Sequence, residues 1–180
     1  MPERRWDVGD STGVRWRDAG VADTATLAAI GRRSFIETFG HLYSPENLAA
    51  FLTNHSKENW RGELADRRFA VRLGEAGGEA AAYAKVGPPS LPFAVSGPAV
   101  ELRQFYVLKP WHGAGLAAEM MDWVLAEARR RGAEQLYLSV FTDNERARRF
   151  YARYGFEAVG RYDFMVGTHA DEDIVMRLKL

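Results

Sequence analysis

No cysteine occurs in the 180 residues of this chain. Its absence removes disulfides, thiolate nucleophiles and zinc–thiolate sites together. Neither sign of charge dominates, since 24 Lys and Arg stand against 24 Asp and Glu. No global field therefore points to nucleic acid or to an anionic membrane. No apolar run is long enough to cross a bilayer, and the opening "MPERRWDVGDSTG" lacks an apolar signal core. His41, His55 and His169 are scattered without metal-ligand spacing, so no metal is expected. No G-x-S-x-G elbow and no Gly-Lys-Ser/Thr of a phosphate-loop NTPase is present. A cytoplasmic protein is the simplest expectation, with residues 1–12 a disordered tail and 13–180 one domain.

What is present reads as alternating strands and helices. Val14–Arg17 alternates like a short strand, and Val21–Phe39 carries Leu27, Ile30, Phe35 and Phe39 at helical spacing. "SPENLAAFL" begins as a helix begins, with Ser44 as N-cap, Pro45 in the first position and Glu46 in the first turn. A third helix is expected over Lys57–Arg67. Phe69–Leu73 and Glu79–Val86 read as a hairpin around "GEAGG". Gly87–Ala99 is a proline-rich loop of the kind that borders binding sites. Then follow a strand at Val100–Leu108, a helix at Ala114–Arg131, a strand at Gln135–Phe141 and a helix at Asn144–Tyr154. Strands at Phe156–Val166 and Asp173–Leu180 close the chain. The order implies an α/β (α+β) fold whose hairpins pair antiparallel and whose later crossover pairs parallel.

"YVLKPWHGAGLAAEMM" (Tyr106–Met121) holds the first chemical signal. "GAGLAA" fits the dinucleotide fingerprint G-x-G-x-x-G/A, but its surroundings do not. Four residues separate it from the strand, and the place for a ribose-binding acid, about 20 positions on, falls in an apolar strand near Leu138. The physics of the turn is independent of that fingerprint. Successive N–H groups at a helix start form an anion site, and glycines let a phosphate approach without meeting a Cβ. A plain strand–helix connection is the alternative.

The second signal is "DNERARRFYARYGFEAVGR". With the glycine turn it resembles the GCN5-related N-acetyltransferase (GNAT) family. The acetyl-CoA motif of that family, Arg/Gln-x-x-Gly-x-Gly/Ala, reads here His112-Gly113-Ala114-Gly115-Leu116-Ala117. The motif Asn-x-x-Ala-x-x-Phe-Tyr-x-x-x-Gly-Phe appears as Asn144, Ala147, Phe150, Tyr151, Gly155 and Phe156. His112 stands where Arg or Gln is usual. "SFIETFGHLYSPENLAAFL" and the tail "YDFMVGTHADEDIVMRLKL" are similar to PaiA-like spermidine/spermine acetyltransferases.

The resemblance implies a mixed, mostly antiparallel sheet of six to seven strands flanked by helices. It also implies acetyl transfer from acetyl-CoA to a primary amine, such as a polyamine, by direct attack in a ternary complex. Alternatives are acetylation of a protein N-terminus or lysine, or a non-catalytic acyl-CoA sensor. The backbone of His112–Ala117 would hold the diphosphate. Phe105, Tyr106 and Val107 would pair with the pantetheine arm in a slot beside Gln135–Phe141, where a β-bulge would aim a main-chain group at the thioester. Asn144 would contact the same arm; Thr142-x-x-Glu145 also reads as a capping box with Asn144 in the first turn, and both can hold, since a capped helix leaves that amide side chain free. An alkylamine arrives charged, with a pKa near 10.4. Glu101 is the candidate base, with an ion pair to Arg103 as its plainer fate. Tyr151 is the candidate acid for the departing thiolate. Phe39, Tyr43 and Tyr83 are acceptor-pocket candidates for which packing is the competing role, and Glu37, Glu46, Glu101 and Asp163 are candidates for acidity there. The chain is expected to be a monomer or homodimer.

Overall fold

The computed structural model describes residues 13–92 and 94–180, so the tail expected at 1–12 lies outside the described residues. Seven strands form one sheet in the order β1-β2-β3-β4-β5-β7-β6. They are β1 (Arg15–Asp18), β2 (Ala70–Ala76), β3 (Glu79–Gly87), β4 (Ala99–Val107), β5 (Gln135–Phe141), β6 (Glu157–Val166) and β7 (His169–Lys179). Every neighbouring pair is antiparallel except β4 with β5. The mixed, mostly antiparallel sheet expected from the sequence is therefore borne out. Helices α1 (Thr24–Phe39), α2 (Pro45–Leu52) and α3 (Lys57–Ala65) separate β1 from β2. Helix α4 (Leu116–Arg130) links β4 to β5, and α5 (Glu145–Arg153) links β5 to β6.

Local chemistry sets the boundaries. Ser44 caps α2 by accepting from Asn47 N at 3.2 Å, with Pro45 in the first turn. Ser56, whose cap the sequence reading passed over, does the same for α3 through Asn59 N at 3.2 Å. The β2–β3 hairpin turns on Gly77 and Gly78, both at positive φ. The last strand starts four residues earlier than expected, at His169, because it pairs with β6 from Val166 onward.

Alternation along β3 divides the core. Ala82, Ala84 and Val86 face α4, where Leu116, Met120, Met121 and Val124 are buried. Tyr83, on the other face, packs with Leu27, Ile30, Trp60 and Leu73. Each buried Leu, Met or Val side chain contributes roughly 1.5–3 kcal/mol. Among the described residues no helix is long and apolar enough to cross a membrane.

Candidate active site

The site begins as a break in strand pairing. β4 and β5 run side by side only from Ala99–Glu101 against Gln135–Tyr137. Beyond Glu101 they part, and the edges of both strands open onto a cleft of ≈ 1320 Å³. The expected bulge is also there: Lys85 pairs with Gln104 but Val86 with Leu102, which leaves Arg103 as the extra residue of β4. A bulge bends its strand and redirects the main chain. The open edge from Leu102 to Val107 can therefore accept another extended chain as a strand partner.

The glycine turn closes one end of this slot. Gly113 and Gly115 lie at φ 82° and 88°, where L side chains are strained, and a Cβ built on either would meet nothing within 4 Å. No protein atom crowds the two glycines. Gly113, Gly115, Leu116 and Ala117 line the cleft, whereas Ala114 does not, and its N–H points back to Trp111 O at 3.4 Å. Gly115 is the N-cap of α4, so the following N–H groups lack intrahelical acceptors. His112 turns its ring away from the helix start. Nε2 meets Val107 O at 2.8 Å, and Nδ1 meets Arg146 Nη1 at 2.8 Å. A carbonyl can only accept and a guanidinium only donate, so in these two contacts Nε2 is the donor and Nδ1 the acceptor. Arg146 is thereby anchored beside the turn.

α5 supplies the residues at the middle of the slot. Its N-cap is Asn144, whose Oδ1 accepts from Ala147 N at 3.2 Å. Thr142 instead donates to Glu172 O at 2.6 Å, so the Thr142 capping box is not formed. The Asn144 amide nitrogen remains on the cleft wall. Tyr151 lines the slot with its ring against Phe105 (centroids 6.1 Å), Phe150 (5.5 Å) and Phe156 (5.7 Å). Burial pushes its phenol well above the ordinary value, with Tyr106 adding to the rise. The group therefore stays protonated at neutral pH.

Glu101 sits where the strands part, and it is 5% exposed. Its carboxylate accepts from Ser90 N at 2.6 Å and Ser90 Oγ at 3.1 Å, and it pairs with Arg103 Nε at 3.5 Å. The loop foreseen as a site border delivers Ser90, Leu91 and Pro92 to the cleft.

The far end of the cleft lies between the N-terminal helices and β7. Phe39 lies edge-on to Phe141 (6.2 Å), and Tyr43 donates a short hydrogen bond to Asp171 Oδ2. Both line the cleft. Tyr83 does not. It is fully buried, between Trp60 (5.7 Å) and Tyr106 (5.7 Å), and its hydroxyl meets Gln104 Oε1 at 3.1 Å. The side chain of Tyr83 alternates to the core face of β3, so packing is its place. Of the four acids considered for the pocket, Glu101 alone lines it. Glu37 is occupied by Arg33 and Lys109 N, and Glu46 and Asp163 are exposed elsewhere.

Acidity the sequence reading passed over comes from Asp171 and Asp173 on β7, exposed 7% and 6%, besides Glu58, Glu63 and Asp66 elsewhere on the cleft wall. Among the described residues neither aspartate of β7 has a lysine or arginine ion-pair partner, and Asp171 has His169 Nε2 at 3.1 Å. Residues two apart on a strand share a face. The pair was legible as "DED" ahead of an apolar run, had the strand been started earlier.

A family model described as the acetyltransferase (GNAT) family matches residues 32–156. An uncharacterized N-acetyltransferase of Mycobacterium tuberculosis (strain ATCC 25618 / H37Rv) is 35% identical over 159 residues, 87% of this chain and 97% of that protein. A "probable spermine N(1)-acetyltransferase" of Bacillus subtilis subsp. natto is 35% identical over 66 residues, 36% of this chain and 43% of that protein. The PaiA N-acetyltransferase of Thermoplasma acidophilum, solved in complex with coenzyme A, superposes with a TM-score of 0.73 at 17% identity, covering 93% of this chain and 99% of that one. At that identity the likeness is one of fold. The sheet that parts beside a glycine turn is that of an acyl-CoA-dependent transferase, and the chain belongs to the acetyltransferase (GNAT) family. It is an acetyl-CoA-dependent N-acetyltransferase.

Proposed function

We propose that the acceptor is a small polyamine, acetylated on a primary amine by direct attack within a ternary complex. The observation that carries this reading is the Asp171–Asp173 pair, buried at the acceptor end with no lysine or arginine partner among the described residues. Two buried carboxylates in that state are stabilised by a cation that comes from outside. Phe39, Tyr43 and Phe141 beside them suit the alkyl segments between ammonium groups and the ammonium groups themselves. The spermine-acetylating relative from Bacillus supports the same substrate class.

In this reading acetyl-CoA lies along the open edge of β4, with Phe105, Tyr106 and Val107 offering main-chain partners. The N–H groups of Gly113, Gly115, Leu116 and Ala117 receive the diphosphate, helped by the partial positive charge of the α4 start. Arg146, held by His112, places a cation beside the turn, as an Arg at the His112 position would. Asn144 contacts the pantetheine arm through its free amide nitrogen. The acceptor ammonium gives up a proton to a carboxylate, and Glu101 is one candidate. The amine nitrogen attacks the thioester carbon, the C–S bond breaks, and Tyr151 protonates the sulfur. The absence of cysteine fits direct transfer without an acyl-enzyme.

The test is thiol release from acetyl-CoA with spermidine, spermine, monoamines and short peptides as acceptors. The expected order has polyamines above monoamines by at least tenfold in kcat/KM, with peptides lowest. Peptides turned over fastest would replace a polyamine by a protein acceptor.

A further inference from the structure

We infer that Asp173 is the residue that takes the proton from the acceptor ammonium, and that Glu101 organises the cleft wall. The inference rests on the amine-acetylation reading and deepens it by assigning the base.

The two carboxylates differ in what surrounds them. Glu101 is compensated three times over, by the Ser90 amide (2.6 Å), the Ser90 hydroxyl (3.1 Å) and the Arg103 guanidinium (3.5 Å). Arg103 in turn donates to Pro88 O at 3.2 Å. Such partners occupy both carboxylate oxygens and hold the side chain against the cleft wall. The same contacts give Glu101 another task, because they tie the 87–99 loop to the bulge of β4.

Asp173 is in the opposite state. It sits on β7 opposite Phe141 of β5 and Tyr162 of β6, at the edge of the cleft where β5 has left β4. The groups that interact with it electrostatically or by hydrogen bond are Asp171 from its own strand, Ser139 from β5, Tyr162 from β6, Tyr106 from β4 and Tyr43 from the segment after α1. None of these is a cation. Burial and the Asp171 carboxylate push Asp173 up to about 6, with Ser139 the one donor opposing them. Asp171 itself is occupied, by the Tyr43 hydroxyl and by His169 at 3.1 Å.

Acid and base share one chamber, since Asp173, Tyr106 and Tyr151 all line the same cleft. Burial, then the Asp173 carboxylate, raise the Tyr106 phenol. Tyr106 in turn adds to the burial that raises Tyr151. The step balances: RNH3+ and the Asp173 carboxylate become RNH2 and a carboxylic acid. The amine then forms the C–N bond as C–S breaks, Tyr151 supplies the sulfur proton, and the proton left on nitrogen restores the tyrosine. Asp173 releases its proton to solvent when the next substrate enters.

The experiment compares wild type with Asp173→Asn, Asp173→Glu and Glu101→Gln, using acetyl-CoA and spermidine, with thiol release followed from pH 5.5 to 9. Acetyl-CoA binding is measured separately by thermal shift. Asp173→Asn is expected to lower kcat about 100-fold or more at pH 7.5 and to abolish the acidic limb of the wild-type profile, a change that a purely structural role would not make. Asp173→Glu should recover part of the rate with the limb restored. Glu101→Gln should stay within about tenfold of wild type with the limb retained, and all variants should bind acetyl-CoA. A loss in Glu101→Gln equal to or above that in Asp173→Asn overturns the assignment and leaves the amine reading intact. So does a raised KM for spermidine with kcat unaltered in Asp173→Asn. A wild type that binds acetyl-CoA yet releases no thiol with spermidine or any amine of the panel overturns both.

Discussion

The two ends of the cleft are built by different means. The cofactor end is made of main chain: an open strand edge, two glycines at positive φ and the first turn of α4. The acceptor end is made of side chains brought from far apart, as with Tyr43 and Asp171, separated by 128 positions and joined by one hydrogen bond. A main-chain site constrains sequence locally, because only glycine tolerates the required φ and only a strand–turn–helix presents the N–H groups. A side-chain site needs only that the fold bring suitable groups together. One end can accordingly be identified from a dozen residues, while the other has no local grammar.

Changes at the two ends should separate these contributions, and the largest effect belongs where the ends meet. Tyr151→Phe is expected to lower kcat by roughly 10²–10³-fold, the usual size of a lost general acid, while acetyl-CoA affinity changes by less than about threefold. Pre-steady-state thiol release together with calorimetric CoA binding would separate the two quantities. Equal loss in both would make Tyr151 part of the cofactor wall and erase the division.

The next effect concerns the acceptor end and is one of stability. An unfolded Asp173 titrates near 3.8 and the folded one near 6, so the two states differ in proton uptake between those values. Below the lower value both are protonated and burial carries no charge penalty. As pH rises through 6 the folded state must ionise a buried group, and the stability present in acid is lost. The penalty above pH 6 is on the order of 2–3 kcal/mol. Asp173→Asn stays neutral, so its Tm should exceed wild type at pH 8, with the gap closing toward pH 4. A variant that is more stable and less active is the signature of a group kept for function. A Tm gap that ignores pH would mean Asp173 is not an unpaired buried charge.

The cofactor end answers to a smaller change. Gly115→Ala has room for its methyl group, since nothing lies within 4 Å, so its cost is the strained φ and, in the proposed binding mode, the methyl's intrusion on the diphosphate. Acetyl-CoA affinity should fall about 10–100-fold while the protein loses about 1–2 kcal/mol of stability. Calorimetric titration against chemical denaturation reads the two separately. Retained affinity would show that the phosphate does not approach this part of the backbone.

Much of the fold was legible because its rules are local. Ser44-Pro45 opens α2, the Gly77-Gly78 pair turns β2 into β3, and the apolar stripe of α4 faces the sheet as its spacing implies. Reading failed where two local rules competed. At the start of α5 both Thr142 and Asn144 can cap, and the pairing of Thr142 with Glu172 on β7 gave the role to Asn144. It failed also where only tertiary contact decides. Tyr83 had two open readings, pocket or packing, and strand alternation turns it to the core. Asp171 and Asp173 drew no reading as site residues, because only the sheet order, with β7 between β5 and β6, carries them to the cleft. His112, the odd member of its motif, is explained by Arg146, whose proximity no sequence spacing announces.

The smallest expected effect probes the division most finely, because Tyr43→Phe removes a single hydroxyl at the acceptor end. That hydroxyl donates to Asp171 and is pushed up by burial first and by that hydrogen bond second, so it is a donor at every working pH. Without it, one Asp171 oxygen loses its partner while His169 keeps the other at 3.1 Å. The anion is then less compensated and holds an incoming ammonium more tightly, while the acceptor loses a rigid wall. These opposing changes should leave KM for spermidine altered by only about two- to fivefold, with the sign set by whether compensation or rigidity matters more. Acetyl-CoA affinity should not move, since Tyr43 and the glycine turn belong to different ends of the cleft. A double-mutant cycle with Asp171→Asn sharpens the point. If Tyr43 acts through Asp171, the second substitution should erase the effect of the first. Additive changes in KM would instead mean that Tyr43 meets the acceptor directly.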